Sequence, residues 1–181
     1  DNLTIEGNGT VNVYSTELSA NGALASQNLI SVYGDGVSIE GLNIACKAEV
    51  NKAVYVQGKN FTMKDCAIVD NTWVTADDVT AEDGFTYDDS FNGSLYFFGN
   101  VGNATIENVT LNKSYISTTS MTGGKVTLNN VTIDAAGVTM LNNAGFAVIS
   151  GDVDNNVAVN GLTIRVNNEI DNIYQSVIKA A

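Results

Sequence analysis

Acidic and aromatic side chains are concentrated between residues 70 and 92. This segment holds seven Asp or Glu residues, four aromatic residues and no Lys or Arg. Carboxylate oxygens are the ligands that Ca²⁺ prefers, although the spacing of an EF-hand loop is absent here. We favour an acidic, partly ordered loop, with a calcium site as the alternative. The acidic residues that would bind the metal are Asp77, Asp78, Asp83 and Asp88.

A second set of aromatic residues falls near the ends of short apolar runs elsewhere in the chain. These are Tyr33, Tyr55, Tyr96 and Phe98. If the runs are neighbouring strands, the four rings share one exposed sheet, and exposed aromatic patches often mark binding surfaces for sugars or proteins. Trp73 and Tyr87 in the acidic segment would lie beside them. The competing interpretation is that long loops fold over the sheet and bury these rings.

Composition restricts the classes of function. The 181 residues carry a net charge of −12 and include no histidine and no proline. A basic face for nucleic acid is therefore not expected, nor is chemistry that needs an imidazole. No apolar run approaches the ~18 residues of a membrane span. The length suggests one domain, residues 1–181, with 70–92 as an insertion.

One pattern recurs along the chain, as in Val37–Ile44. Two apolar residues with one residue between them come first, a bend residue follows, and then come two more apolar residues with one residue between them. Side chains alternate faces along a strand, so a bend is needed for both apolar pairs to face one interior. Five segments carry a residue that tolerates left-handed backbone at the bend: Gly41, Asp65, Asn108, Asn130 and Gly161. The segments begin at 37, 61, 104, 126 and 157, which predicts a repeat of about 22 residues plus loop insertions.

A further strand, closed by a glycine, precedes each of these segments. Alignment on the closing glycines predicts an inward column of Val32, Val56, Phe97, Met121 and Ile149. The bend segments predict two more, which contain Ile39, Met63, Ile106, Leu128 and Val159, and Ile44, Ile68, Leu111, Ile133 and Ile164. Stacked repeats would bury these columns as aliphatic ladders. Cys66 takes the slot of Leu42, which favours a buried thiol over a disulfide with Cys46.

Three strands per repeat with an Asn, Asp or Gly bend resemble the right-handed parallel β-helix of pectate-lyase-like solenoids. The resemblance covers residues 3–178 and implies an all-β fold of three strands per coil. An antiparallel β-sandwich is the alternative fold. In enzymes of the family, the first-strand sheet lines a polysaccharide cleft, and lyases combine a calcium cluster with an Arg or Lys base. The candidate bases here are Lys47, Lys52, Lys59, Lys64 and Arg165.

The resulting expectation is a non-catalytic, adhesin-like module, secreted or at the cell surface, that binds a glycan or a protein. A polysaccharide lyase or glycoside hydrolase is the alternative. No cofactor is expected, with calcium as the alternative. Residues 3–6 begin mid-coil and residues 176–181 begin a coil that stays incomplete, so we expect an internal piece of a longer protein, whose remainder packs on the solenoid ends.

Overall fold

The computed structural model describes residues 2–14, 17–18, 28–45, 52–68, 80–81, 94–112, 114–134, 147–151, 157–165 and 176–180. Strands dominate these residues, and no helix occurs among them. The strands are β1 (Thr4–Tyr14), β2 (Glu17–Leu18), β3 (Asn28–Val32), β4 (Ser38–Ala45), β5 (Lys52–Val56), β6 (Thr62–Lys64), β7 (Ala67–Ile68), β8 (Thr80–Ala81), β9 (Ser94–Glu107), β10 (Thr110–Asn112), β11 (Tyr115–Asp134), β12 (Ala147–Gly151), β13 (Val157–Arg165) and β14 (Ser176–Ala180).

All the strand pairings among the described residues are parallel, as expected of a solenoid and unlike an antiparallel sandwich. One 12-stranded sheet contains all the strands except β2 and β8, which pair with each other. Its pairings run in three ladders. The first ladder joins residues 28–32, 52–56, 94–98, 115–120, 147–151 and 176–180.

The second and third ladders lie on either side of the predicted bend. The second ladder joins residues 4–6, 38–40, 62–64, 104–107, 126–129 and 157–160. The third ladder joins residues 11–14, 42–45, 67–68, 110–112, 131–134 and 162–165. Along these two ladders, each repeat therefore pairs in register with the next repeat.

The predicted bends are confirmed at all five positions. Gly41, Asp65, Asn108, Asn130 and Gly161 have φ angles of 68°, 51°, 52°, 52° and 91°. A second set of left-handed residues, which the sequence did not single out, comes immediately before the second ladder: Asn2, Gly36, Asn60, Gly102 and Gly124. Left-handed backbone is therefore used at both ends of the second-ladder strands.

The core consists of the predicted aliphatic columns. In the second ladder, Ile39, Met63, Ile106 and Leu128 are paired in succession and are all 0% exposed. The third-ladder column of Ile44, Ile68, Leu111 and Ile133 is likewise 0% exposed. The ends of the second-ladder column are open, with Ile5 at 40% and Val159 at 49% exposure. A side chain in this column is thus fully removed from water only when a repeat packs against it on each side.

The predicted first-ladder column is wrong beyond Phe97. Met121 pairs with Gly99, and it is Ile116 that pairs with Leu95 and with Ile149. The reason is that β11 carries extra residues opposite β9, after Ser117 and again after Met121. Such bulges shift the register locally, so Gly123 pairs with Asn100 and not with Gly99.

Side-chain amides stack along the bend between the second and third ladders. Asn130 Nδ2 donates to Asn108 Oδ1, and Asn108 Nδ2 donates to Asp65 Oδ1, both at 2.9 Å. The backbone amides of these bends also bond to the next repeat, for example Asn108 N to the Asn129 carbonyl at 3.0 Å. The bend residues Asp65, Asn108 and Asn130 thus each contribute a backbone conformation and a hydrogen bond to a neighbouring repeat.

We predict that Asn108→Ala lowers the free energy of unfolding by about 2 kcal/mol. Alanine disfavours left-handed backbone, and the substitution removes two side-chain hydrogen bonds. Asn108→Gly keeps the left-handed backbone and loses only the two exposed side-chain hydrogen bonds, so it should cost about 1 kcal/mol or less. Urea denaturation of the two variants measures the difference. Equal losses would mean that the side-chain hydrogen bonds of Asn108, and not its tolerance of left-handed backbone, account for its contribution to stability.

Candidate functional site

The first ladder places the four aromatic residues Tyr33, Tyr55, Tyr96 and Phe98 on one surface, which we call the aromatic patch. Tyr55 pairs directly with Tyr96 across β5 and β9, and Val56 pairs with Phe97. Val56 and Phe97 are buried. Because side chains alternate along a strand, the residues on either side of this buried pair, Tyr55 with Gln57 and Tyr96 with Phe98, share the opposite face.

The rings of the aromatic patch contact one another as a continuous cluster. Tyr55 and Tyr96 are stacked, with centroids 5.9 Å apart and an interplanar angle of 12°. Tyr33 lies 5.9 Å from Tyr55 at an angle of 57°, and Phe98 lies 6.1 Å from Tyr55. These are the distances at which aromatic pairs attract. Tyr55 is therefore the central ring of the patch.

The patch is open to solvent at its two flanks. Tyr33 is 65% exposed and Phe98 is 43% exposed, while Tyr55 and Tyr96 are half-buried. Burial raises the pKa of the Tyr55 phenol, and the neighbouring Tyr33 and Tyr96 raise it further. The phenol thus remains a neutral hydrogen-bond donor and acceptor over the physiological pH range.

Polar groups border the aromatic patch. The Tyr55 hydroxyl donates to Gln57 Oε1 at 3.3 Å, and the Tyr96 hydroxyl is hydrogen-bonded to the Ser120 hydroxyl. In the structure Ser117 pairs with Tyr96 and Ser120 pairs with Phe98, but the hydroxyl contact is made nevertheless.

Lys52 is the residue of this site that sequence reasoning considered only in another role, as a candidate base. Its Nζ lies 4.9 Å from the centroid of the Tyr96 ring, within the range of a cation–π interaction. Partial burial lowers the pKa of the ammonium group. Side chains three residues apart on a regular strand point to opposite faces, so no signal in the sequence indicated this contact. In β5 the adjacent residues Ala53 and Val54 are both buried, which interrupts the alternation between Lys52 and Tyr55.

Ion pairs among the described residues occur on the other two ladders. Lys64 Nζ lies 3.3 Å from Glu107 Oε1 on the second ladder, and that hydrogen bond and charge raise the pKa of Lys64. Arg165 Nη1 lies 3.4 Å from Asp134 Oδ2 on the third ladder. Both pairs join registered neighbours. Surface pairs of this kind contribute little stability.

The acidic segment contributes one described element, β8, which pairs with β2 in parallel. The predicted metal ligands Asp77, Asp78, Asp83 and Asp88 lie outside the described residues, as do Trp73 and Tyr87. Within the described ranges, no group of three or more Cys, Asp or Glu side chains is arranged to hold a metal ion. The calcium site and the lyase or hydrolase alternative therefore stay predictions.

Cys66 has the buried, inward position that the repeat predicts. It is a free thiol, 4% exposed, and its Sγ lies 3.5 Å from the Leu42 amide nitrogen. Burial raises the pKa of this thiol, which keeps it protonated and unreactive near neutral pH. Cys46 lies outside the described residues.

Comparison of the chain with protein-family models, curated proteins and solved structures gives no match. Among the described residues there is also no helix with the length and apolar character that crossing a membrane requires. The aromatic patch is therefore interpreted from its own geometry and chemistry.

Proposed function

We propose that the chain is a right-handed parallel β-helix, pectate-lyase-like in architecture, with three strands per coil. The support is the order of the three ladders, which recurs along the chain as first, second and third. A crossover between parallel strands of one sheet is nearly always right-handed.

We propose that this module binds a glycan on the aromatic patch, without catalysis, as an adhesin-like domain that is secreted or displayed at a cell surface. The observation that carries the proposal is the contiguous cluster of Tyr33, Tyr55, Tyr96 and Phe98, open to solvent on both flanks. Exposed apolar clusters of this kind are uncommon on soluble proteins unless they bind something.

A sugar fits the chemistry of the patch better than a purely apolar ligand does. The C–H faces of a sugar ring stack on aromatic rings, and its hydroxyls need hydrogen-bonding partners that would otherwise be lost on binding. Such partners border the rings at the hydroxyls of Tyr55 and Tyr96, at Gln57 and at Ser120. The rings are held by paired strands, so little side-chain entropy is lost when a ligand binds.

We predict that wild-type protein binds at least one oligosaccharide on a glycan array, and that Tyr55→Ala weakens this binding at least about tenfold. The reason is that Tyr55 contacts the three other rings, and removal of a central stacked ring costs about 1.5 kcal/mol or more. Isothermal titration calorimetry with the best array ligand measures the change in Kd.

Thr127→Ala, on the second ladder, is the control and should leave the Kd unchanged, because it is remote from the patch. Circular dichroism verifies that both variants are folded. The proposal fails if no glycan binds above background, or if Tyr55→Ala binds as tightly as wild type. Binding of a protein instead of a glycan, abolished by the same variant, would retain the site and replace the ligand class.

A further inference from the structure

The stacked pair Tyr55 and Tyr96 has the geometry of two phenols that can be joined by oxidation. The two residues are direct partners on adjacent parallel strands, and their rings are nearly parallel with centroids 5.9 Å apart. Both strands are fixed by buried neighbours, since Val54, Val56, Leu95 and Phe97 are each 0% exposed. The two rings therefore remain side by side as long as the sheet is folded.

We propose that Tyr55 and Tyr96 are a modification site, at which a haem peroxidase with hydrogen peroxide forms a dityrosine cross-link between β5 and β9. The cross-link joins the ring carbons next to the two phenol oxygens. It would fasten two neighbouring repeats of the first ladder covalently. The inference does not rest on glycan binding, because the reaction needs only the two rings and an oxidant.

The reaction balances in atoms and electrons. Each phenol gives up one electron and its phenolic proton, and the resulting two phenoxyl radicals couple to form one carbon–carbon bond. The hydrogen on each coupled carbon then moves to the phenol oxygen and restores the aromatic rings. The two electrons and two protons removed reduce one hydrogen peroxide to two waters.

Exposure and proximity together select this pair. Tyr33 is 65% exposed and lies 5.9 Å from Tyr55, so an oxidant can reach the cluster through Tyr33 and the radical can pass inward. Tyr33 is tilted by 57° to Tyr55, whereas Tyr96 is within 12° of parallel. A linked pair within one molecule has an effective concentration on the order of millimolar, well above a micromolar protein solution. Coupling within the chain should therefore outrun coupling between chains.

The test is oxidation of the full chain at low micromolar concentration with peroxidase and hydrogen peroxide, followed by trypsin digestion and mass spectrometry. Cleavage after lysine gives peptide 53–59, in which Tyr55 is the single tyrosine, and peptide 65–113, which contains Tyr87 and Tyr96. We expect these two peptides joined with the loss of two hydrogen atoms, fragment ions that assign the bond to Tyr96, and protein of monomer mass with blue dityrosine fluorescence.

Three variants decide the assignment. Tyr96→Phe should lower the yield of peptide 53–59 joined to peptide 65–113 at least about tenfold, because the ring that supplies the partner radical is then missing. Tyr87→Phe and Tyr33→Phe should retain the bond between peptides 53–59 and 65–113. The proposal is overturned if wild-type protein yields only cross-linked dimers, if fragment ions place the bond at Tyr87, or if peptide 53–59 joins the peptide that contains Tyr33. The fragment ions of wild-type protein decide this even if a variant misfolds.

Discussion

Ile106→Ala is expected to lower the free energy of unfolding by about 4 kcal/mol, within the range that truncation of a fully buried isoleucine typically costs. Ile106 is 0% exposed and is paired between Met63 and Leu128, which are also 0% exposed. Truncation removes apolar contact with both neighbouring repeats and leaves a cavity that paired strands cannot close. Urea denaturation followed by circular dichroism measures the loss.

Ile5→Ala is the matched control, since it is the same substitution in the same column. Ile5 pairs with Ile39 on one side only and is 40% exposed, so its truncation should cost about 1 kcal/mol. Hydrogen exchange in Ile106→Ala should increase most in β6, β9 and β11, because these are the strands that hold Ile106 and its two paired neighbours, Met63 and Leu128. Similar losses for the two variants would contradict burial between repeats as the source of stability.

The bends and the columns on either side of them were predictable from sequence because each is a local property. Left-handed backbone is tolerated by few residue types, and the five predicted bends all have positive φ. The apolar residues flanking each bend lie at fixed distances from it along the chain. Once the bend is located, the pairing of Ile39 with Met63 and of Ile44 with Ile68 follows.

The register of the first ladder was not predictable in the same way, because it depends on bulges. The closing glycines of the sequence have different structural roles, so alignment on them places Met121 opposite Phe97, whereas Met121 pairs with Gly99. Residues of β11 opposite β9 include the buried polar side chains Ser117 and Thr118, which weakens the apolar alternation that would have indicated the register. The sequence of β11 therefore gives no sign of its two extra residues.

The aromatic patch combines a predictable part with an unpredictable one. Tyr55 and Tyr96 precede their glycines by equal distances, so their pairing followed from the alignment. The ring angles, the cation of Lys52 over Tyr96 and the hydroxyl contact of Tyr96 with Ser120 depend on rotamers and on the bulge in β11. Those features arise only when several strands are brought together in three dimensions.

Gly58→Ala is expected to cost about 3 kcal/mol or more, although Gly58 does not have left-handed backbone. A Cβ atom at this position would overlap the carbonyl oxygen of Gly34, a backbone atom of the neighbouring repeat. Gly58 N also donates to the Val32 carbonyl at 3.1 Å, so the two backbones cannot separate without loss of this bond. Overpacking against a fixed backbone typically costs 1–3 kcal/mol and occasionally more.

Gly123→Ala is the control for Gly58→Ala, because the atoms nearest its new Cβ belong to the Asn100 side chain, at 3.3 Å or more, and a side chain can shift by the few tenths of an ångström that this contact needs. Its cost should be within about 1 kcal/mol.

Gly99→Ala isolates the effect of backbone conformation. Its Cβ would meet nothing within 4 Å, but its φ is 72°, so we expect a cost of about 1–2 kcal/mol. We expect Gly123→Ala to have the highest denaturation midpoint, Gly99→Ala the next and Gly58→Ala the lowest. That order would establish that position 58 requires glycine because neighbouring repeats approach closely there, and not because of its backbone conformation. A Gly58→Ala variant as stable as Gly123→Ala would refute that explanation.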